Sequence, residues 1–200
     1  MESFFANKNV LVTGAGQGIG KDVAVKLAKL KANVYALSKT KKNLDLLTSD
    51  EKNITSICVD LSDWNATKDA LENLPPIHCL VNNAGIAILG PFLEAKPEEF
   101  DKIFNTNVKA VINVSQIIAK KMINNSINGS IVNISSQASM VALKNHLLYC
   151  GTKGALDAIT KVMALELGPH KIRVNCVNPT VVMTEMGRLG WSEPEKSQEC

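Results

Sequence analysis

Tyr149 and Lys153 lie four residues apart in Leu148-Tyr-Cys-Gly-Thr-Lys-Gly-Ala, and Ser136 precedes the tyrosine by thirteen residues. An α-helix repeats every ~3.6 residues, so a phenol at i and an ammonium at i+4 share one face. A cation beside a phenol favours the phenolate and makes the hydroxyl a better proton donor and acceptor near neutral pH. With a free serine added, the three groups suit an oxygen on which negative charge develops, as on a carbonyl being reduced. Tyr-x-x-x-Lys alone occurs in many helices. Its meaning depends on what the rest of the chain brings to it.

Residues 10–20 read Val-Leu-Val-Thr-Gly-Ala-Gly-Gln-Gly-Ile-Gly, an apolar run passing directly into alternating glycines, and an amphipathic stretch with Val23, Val25, Leu27 and Leu30 follows. That pattern is strand, tight turn, helix. Glycine is needed where the backbone approaches a pyrophosphate closely, and a helix start offers unpaired N–H groups to the phosphates. A plain strand-to-helix loop is the alternative, but at the head of an alternating βα chain dinucleotide binding is the expectation. The second strand, over 33–37, ends in Ser38-Lys39-Thr40. An NAD-preferring site carries an acid about here, roughly twenty residues past the glycines, and none is present. Ser38 can bond a 2′-phosphate and Lys39 can neutralise it, so NADP(H) is the expected cofactor. Otherwise the lysines are a solvated run opening a helix.

Two hundred residues with 46% hydrophobic composition suit one domain, over 1–200, with a real core. A net charge of +3 with scattered basic residues does not imply nucleic acid. No apolar run reaches the ~18 residues of a membrane span. The amino terminus leads straight into the first strand without the apolar segment of a signal peptide, which reads as a cytoplasmic protein. Five cysteines show no metal or redox spacing, and no metal is expected. Cys58, Cys79 and Cys176 read as small core residues of strands. Cys150, beside Tyr149, could be a reactive thiol, and Cys200 is terminal. His146 draws attention because it lies three residues before Tyr149.

Strand-like and helix-like segments alternate throughout, with strands expected over 54–59, 79–81, 130–134 and 173–177 and helices over 64–73, 97–124 and 148–167. Six parallel strands with helices on both faces make an α/β, doubly wound, Rossmann-like sheet, whose ligands sit at the carboxyl ends of the strands. Each motif follows a strand end. Asp60 can accept from an adenine amino group or cap the next helix. The small Ala84 and Gly85 would let the backbone press against a cofactor ring. Asn107, inside the 97–124 helix, is unfavourable unless its side chain finds partners. It is a satisfied core asparagine or part of a proton path.

Taken together, Thr13-Gly14-x-x-x-Gly18-x-Gly20, Asn82-Asn83-Ala84-Gly85, Asn107, Ser136 and Tyr149-x-x-x-Lys153 resemble the short-chain dehydrogenase/reductase family. The resemblance implies an NADPH-dependent reductase of a small ketose or dicarbonyl. Tyr149 would donate the proton and Ser136 bond the carbonyl oxygen. Lys153 would bond the nicotinamide ribose and assist Tyr149, with Asn107 holding a water. Gly14, Gln17, Gly18, Ile19 and Gly20 would hold the pyrophosphate, and Ser38, Lys39 and Thr40 the 2′-phosphate. Asp60 and Leu61 would meet adenine and Asn83 the adjoining ribose. Ala84, Gly85, Tyr149, Lys153, Val182 and Thr184 would complete the cofactor site. Ser136, Gln137, Leu143, His146, Tyr149 and Trp191 would line the substrate pocket, whose mixed polarity suits a small ketose or dicarbonyl rather than a steroid. Acyl-thioester or hydroxysteroid reduction is the other specificity considered.

Many family members carry Pro-Gly where this chain has Pro179-Thr180, and they continue further past this point into a helix and a seventh strand. Here twenty-one residues follow Pro179. The expectation is a sheet without its carboxy-terminal strand, its sixth strand a bare edge. An impaired chain that binds nucleotide or a partner without turnover is therefore the competing reading. The family also implies a homo-oligomer, dimer or tetramer. In relatives the 97–124 and 148–167 helices pair across a two-fold axis; here they carry Val111, Val114, Ile117, Ile118, Leu156, Ile159, Met163 and Leu167, a face that core packing would explain equally well.

Overall fold

Runs apolar at successive positions must be buried on both sides, which a parallel sheet between two helical layers provides. The structure, a computed structural model, describes residues 2–191. Strands β1 (Asn9–Thr13), β2 (Asn33–Ser38), β3 (Ile54–Cys58), β4 (Cys79–Asn82), β5 (Ser130–Ile134) and β6 (Arg173–Val177) form one sheet in the order β3-β2-β1-β4-β5-β6. All five pairings are parallel. Helices α2 (Gly18–Lys29) and α3 (Lys41–Asp50) cover Val10, Val12, Val34 and Ala36 on one face. The other face carries α4 (Trp64–Glu72), α6 (Ala110–Asn124) and α7 (Leu147–Leu167).

Register follows from burial. Leu11, Leu80, Ile131 and Val174 stand side by side across four strands and are all buried on the α6–α7 side. A slip of one residue in any strand would turn its member of that row to the opposite face. Beyond the row, Asn82 donates to Ser115 Oγ (2.9 Å) and Asn133 Oδ1 (2.8 Å), and Asn133 donates to Thr160 Oγ1 (2.8 Å). This buried polar chain ties β4 and β5 to α6 and α7, and so sets the height of α7 against the strand ends. Strand order reverses between β1 and β4, opening a crevice past their carboxyl ends.

Several expectations need correction. The single helix over 97–124 is α5 (Pro97–Phe104), a π-helical turn at Asn105–Lys109, and α6. A short helix α1 (Glu2–Phe5) precedes β1, and α8 (Glu185–Trp191) ends the described chain. Cys58 is exposed, and Cys79 and Cys176 are only half-buried. Among the described residues, β3 and β6 are the outer strands of the sheet. Val111, Val114, Ile118 and Leu156 are core, whereas Ile117, Ile159, Met163 and Leu167 are half-buried. No helix among the described residues is long and apolar enough to cross a membrane. Cys200 lies outside the described residues.

Candidate active site

The cradle at the switch point is built by contact between β1 and β4. Thr13 Oγ1 accepts from the N–H groups of Asn83 (3.0 Å) and Ala84 (3.1 Å), locking the two strand ends together. Asn83 Nδ2 donates back to the carbonyls of Thr13 (3.0 Å) and Gly14 (3.2 Å). Gly14 sits at φ +64°, and a Cβ there would stand 2.8 Å from Ala84 Cα. At Gly20 a Cβ would run into Asn83 Nδ2 and the Gly14 carbonyl. Only glycine lets the turn and the helix start come this close. Helix α2 begins behind an extended Gln17 with no side-chain cap, so its first-turn N–H groups are left for a ligand.

A cavity of about 500 Å³ runs from this cradle along the strand ends to α7. Gly14, Gln17, Gly18 and Ile19 line one end, with Ser38, Lys39, Thr40, Asp60 and Leu61 beside them. Asn83, Ala84 and Gly85 form the middle, and Ser136, Gln137, Leu143, His146, Tyr149 and Lys153 the other end. Val182 and Thr184 close over the top. Two expected residues stand behind the wall instead of in it. Gly20 packs against Asn83, and Asn107 is 1% exposed. Trp191 ends α8, but its side chain is not among those the structure describes.

Asp60 Oδ1 accepts from the N–H (2.9 Å) and hydroxyl (2.8 Å) of Ser62. Chiefly that backbone bond holds its carboxyl below the ordinary value. The cap of α4 is Asp63, which accepts from the Ala66 N–H at 2.9 Å. Capping therefore falls to Asp63, and Asp60 faces the cavity. Cavity-lining residues that the sequence did not single out include Lys102, Asn105 and Thr106 of α5 and its π turn, Glu185 and Met186 of α8, and Ile86, Ala87 and Leu89 of the loop after β4. Thr13 opens the glycine motif, but its role as the acceptor joining two strand ends was not read from the sequence.

At the α7 end, Lys153 Nζ lies 5.6 Å from the Tyr149 ring centroid, on the same helical face. The expected electrostatics are not met. Burial pushes the Tyr149 phenol above its ordinary value, the Ser136 hydroxyl beside it pulling partly back. Lys153 is 5% exposed, and its Nζ donates to the Ile134 carbonyl at 2.7 Å instead of to the phenol. Burial lowers its own pKa to about 8, against a raising influence from Asp157. The pair is thus a half-buried phenol and a buried amine, each biased toward its neutral form. Behind them, Asn107 Oδ1 accepts from Ile86 N–H (2.8 Å) while Nδ2 donates to Ile86 O (2.9 Å) and Thr152 Oγ1 (3.1 Å). Asn107 is a satisfied interior asparagine that pins the loop after β4 to α7. His146 stacks edge-on near Tyr149, centroids 6.4 Å apart, and its Nδ1 meets the Lys144 carbonyl at 2.6 Å.

The residues present fit a nicotinamide dinucleotide. The cradle would be filled by a single Cβ, a cation and hydroxyls stand at the end of β2, and a phenol and an ammonium face the far end.

Residues 8–194 match the family model described as short chain dehydrogenase. The chain is 56% identical over 198 residues to the L-xylulose reductase of Mesocricetus auratus, covering 99% of this chain and 81% of that protein. With the "Carbonyl reductase [NADPH] 2" of Sus scrofa it shares 48% over 199 residues, 100% of this chain and 82% of the other. Among solved structures, a gluconate 5-dehydrogenase from Burkholderia cenocepacia in complex with NADP and tartrate superposes with a TM-score of 0.90 at 28% identity, covering 97% of this chain and 79% of that one.

Proposed function

The chain belongs to the short chain dehydrogenase family, and from that premise we propose that it is an NADPH-dependent reductase of small ketoses and dicarbonyls, L-xylulose and diacetyl among them. It is an oxidoreductase acting on CH–OH groups. The observation that carries the finer reading is the convergence of Tyr149, Lys153 and Ser136 at one end of the cavity whose other end is the glycine cradle. The names of the two curated relatives agree with it.

When bound, the reduced nicotinamide supplies the hydride. Tyr149, its phenol held protonated by burial, is the proton donor to the carbonyl oxygen. Ser136, beside the phenol, bonds the same oxygen and orients it. Two hydroxyls aimed where charge develops stabilise that charge. Lys153 contributes an ammonium below about pH 8, bonds the cofactor ribose and offsets the negative charge left on the phenol after transfer. Asn107, its side chain engaged with Ile86 and Thr152, supports the site by holding the loop after β4 against α7. Gln137, Leu143 and His146 shape the substrate end.

General acid catalysis contributes typically ~10²–10⁴ in rate. Tyr149→Phe is therefore expected to keep NADPH binding and lose at least ~100-fold in kcat, read as NADPH oxidation with L-xylulose and diacetyl. Near-normal turnover in that variant would remove Tyr149 from the mechanism. Wild-type protein that binds NADPH but turns over neither substrate would select a nucleotide-binding role instead.

Cofactor choice rests on Ser38, Lys39 and Thr40. An ion pair at ~4 Å is worth roughly 1 kcal/mol in water and about 4 at an effective dielectric of ~20. Lys39→Asp should accordingly shift the NADPH-over-NADH ratio of kcat/KM by about one to three powers of ten. An unchanged ratio would leave the 2′-phosphate to other groups. The same reading has the protein acting in the cytoplasm as a homo-oligomer, dimer or tetramer.

A further inference from the structure

Behind Ser136 lies a polar cluster that the mechanism has not used. Asp157 follows Lys153 by one helical turn and Tyr149 by two, on the same side of α7. Asn178, just past β6, reaches across with its Nδ2 to Asp157 Oδ2 (3.0 Å) and Oδ1 (3.3 Å), to Ser139 Oγ (2.9 Å) and to the Ser136 carbonyl (3.2 Å). The Ser139 hydroxyl donates to that same carbonyl at 2.8 Å. Ser135 and Cys176 also stand within hydrogen-bonding reach of the carboxylate. One acid therefore gathers the ends of β5 and β6 and the catalytic helix onto the backbone of the serine.

We propose that Asp157 is a positioning residue: through Asn178 and Ser139 it fixes the backbone of Ser136, and it sets a carboxylate one helical turn from Lys153. The inference rests on the reductase reading above. Two physical arguments support it. Backbone bonds to the Ser136 carbonyl decide where its hydroxyl stands relative to the Tyr149 phenol, and a displacement of ~1 Å at a reacting centre can cost ~100-fold in rate. Burial lowers Lys153 to about 8, and Asp157 already works against that lowering. Burial pushes the Asp157 carboxyl up, yet the surrounding hydrogen bonds hold it below its ordinary value, so it is ionised at neutral pH. The other titratable groups around the pair are Tyr149, Cys150 and Lys161 on α7 and Cys176 on β6, whereas the π turn and the loop after β4 present neutral Asn107 and Gly85.

Asp157→Asn removes the charge at nearly constant shape, and Asn178→Ala removes the clamp with the charge intact. For Asp157→Asn, the alkaline limb of kcat/KM for diacetyl at saturating NADPH should move down by about half a pH unit or more. The Lys153 side-chain titration, followed by NMR in cofactor-free protein labelled at Lys Cε, should move the same way. For Asn178→Ala, kcat should fall about tenfold or more with an unmoved pH profile, and the Ser139 and Met140 amides should exchange faster with solvent. NADPH affinity should stay within about twofold in both variants, each checked for wild-type far-UV dichroism. An unmoved Lys153 titration in Asp157→Asn, or wild-type exchange and kcat in Asn178→Ala, would overturn the proposal. Wild-type protein without turnover would defeat the reductase reading alone, because the titration and the exchange rates still judge Asp157.

Discussion

Lys153 shows what spacing can and cannot convey at the scale of one residue. Its partnership with Tyr149 was legible, because the helical period sets which side chains share a face. Its electrostatics were not, since burial belongs to the packing of α7 against β5 and the loop after β4. The consequence for stability has a definite sign. The folded pKa is about 8 and the ordinary value 10.5, so below pH 8 both states hold the proton and the full cost of burying the cation applies. Between pH 8 and 10.5 the folded state releases the proton while the unfolded chain keeps it, and stability rises with pH. At about 1.4 kcal/mol per unit, the buried charge costs up to about 3 kcal/mol at neutral pH. Lys153→Met should therefore abolish turnover yet raise the unfolding free energy at pH 7 by roughly 1–3 kcal/mol, the loss of the Ile134 bond trimming the gain. Urea titrations from pH 7 to 10.5 should show the difference narrowing. A variant less stable than wild type at pH 7 would mean that the ammonium is net stabilising where it sits.

Among the elements, those with the plainest periodicity were read closest to their true ends: β5 and β6 matched residue for residue, and α7 to within one. The π turn at Asn105–Lys109 was not legible, because apolar spacing continues across it through Ile103, Ala110 and Val114. Asn107 was the available hint, as a polar residue on the buried side of an amphipathic helix. A wide turn of this kind is rare and is frequent at functional sites. Here it carries one side chain inward to both backbone groups of Ile86 and to Thr152. Asn107→Leu keeps the branched outline of the side chain, at greater bulk, but leaves those groups without partners, at about 1–3 kcal/mol for each one that stays buried and unmade. The expected result is a loss of about 2–4 kcal/mol in stability and faster solvent exchange of the Ile86 amide. Exchange at Ile86 that matches wild type would show that the loop after β4 is held by something else.

For the whole molecule, the alternation of valine runs and amphipathic stretches was enough to read a doubly wound sheet, because few topologies bury so many parallel strands on both faces. Association was harder to read, since an amphipathic helix looks alike whether its apolar side meets a sheet or a second copy. The apolar residues first singled out on α6 and α7 turned out to be core or half-buried. A different row remains outside: Gly151, Ala158, Val162 and Leu165 are exposed along one side of α7, with Val162 at 53% and Leu165 at 78%. Phe100 of the adjoining α5 is 46% exposed. Single exposed apolar residues are ordinary, but a row of small and branched side chains down one helix is the surface a matching helix packs against closely. In a two-fold dimer the row would meet its own copy, so one substitution acts twice across the contact. Val162→Glu with Leu165→Glu would place four like charges in that seam. Sedimentation at micromolar concentration should then give a dimer or larger for wild type and a monomer for the double variant, with a lower Tm because binding no longer favours the folded state. A wild-type monomer at that concentration would leave the row merely exposed and would remove oligomerisation from the account of how this chain is stabilised.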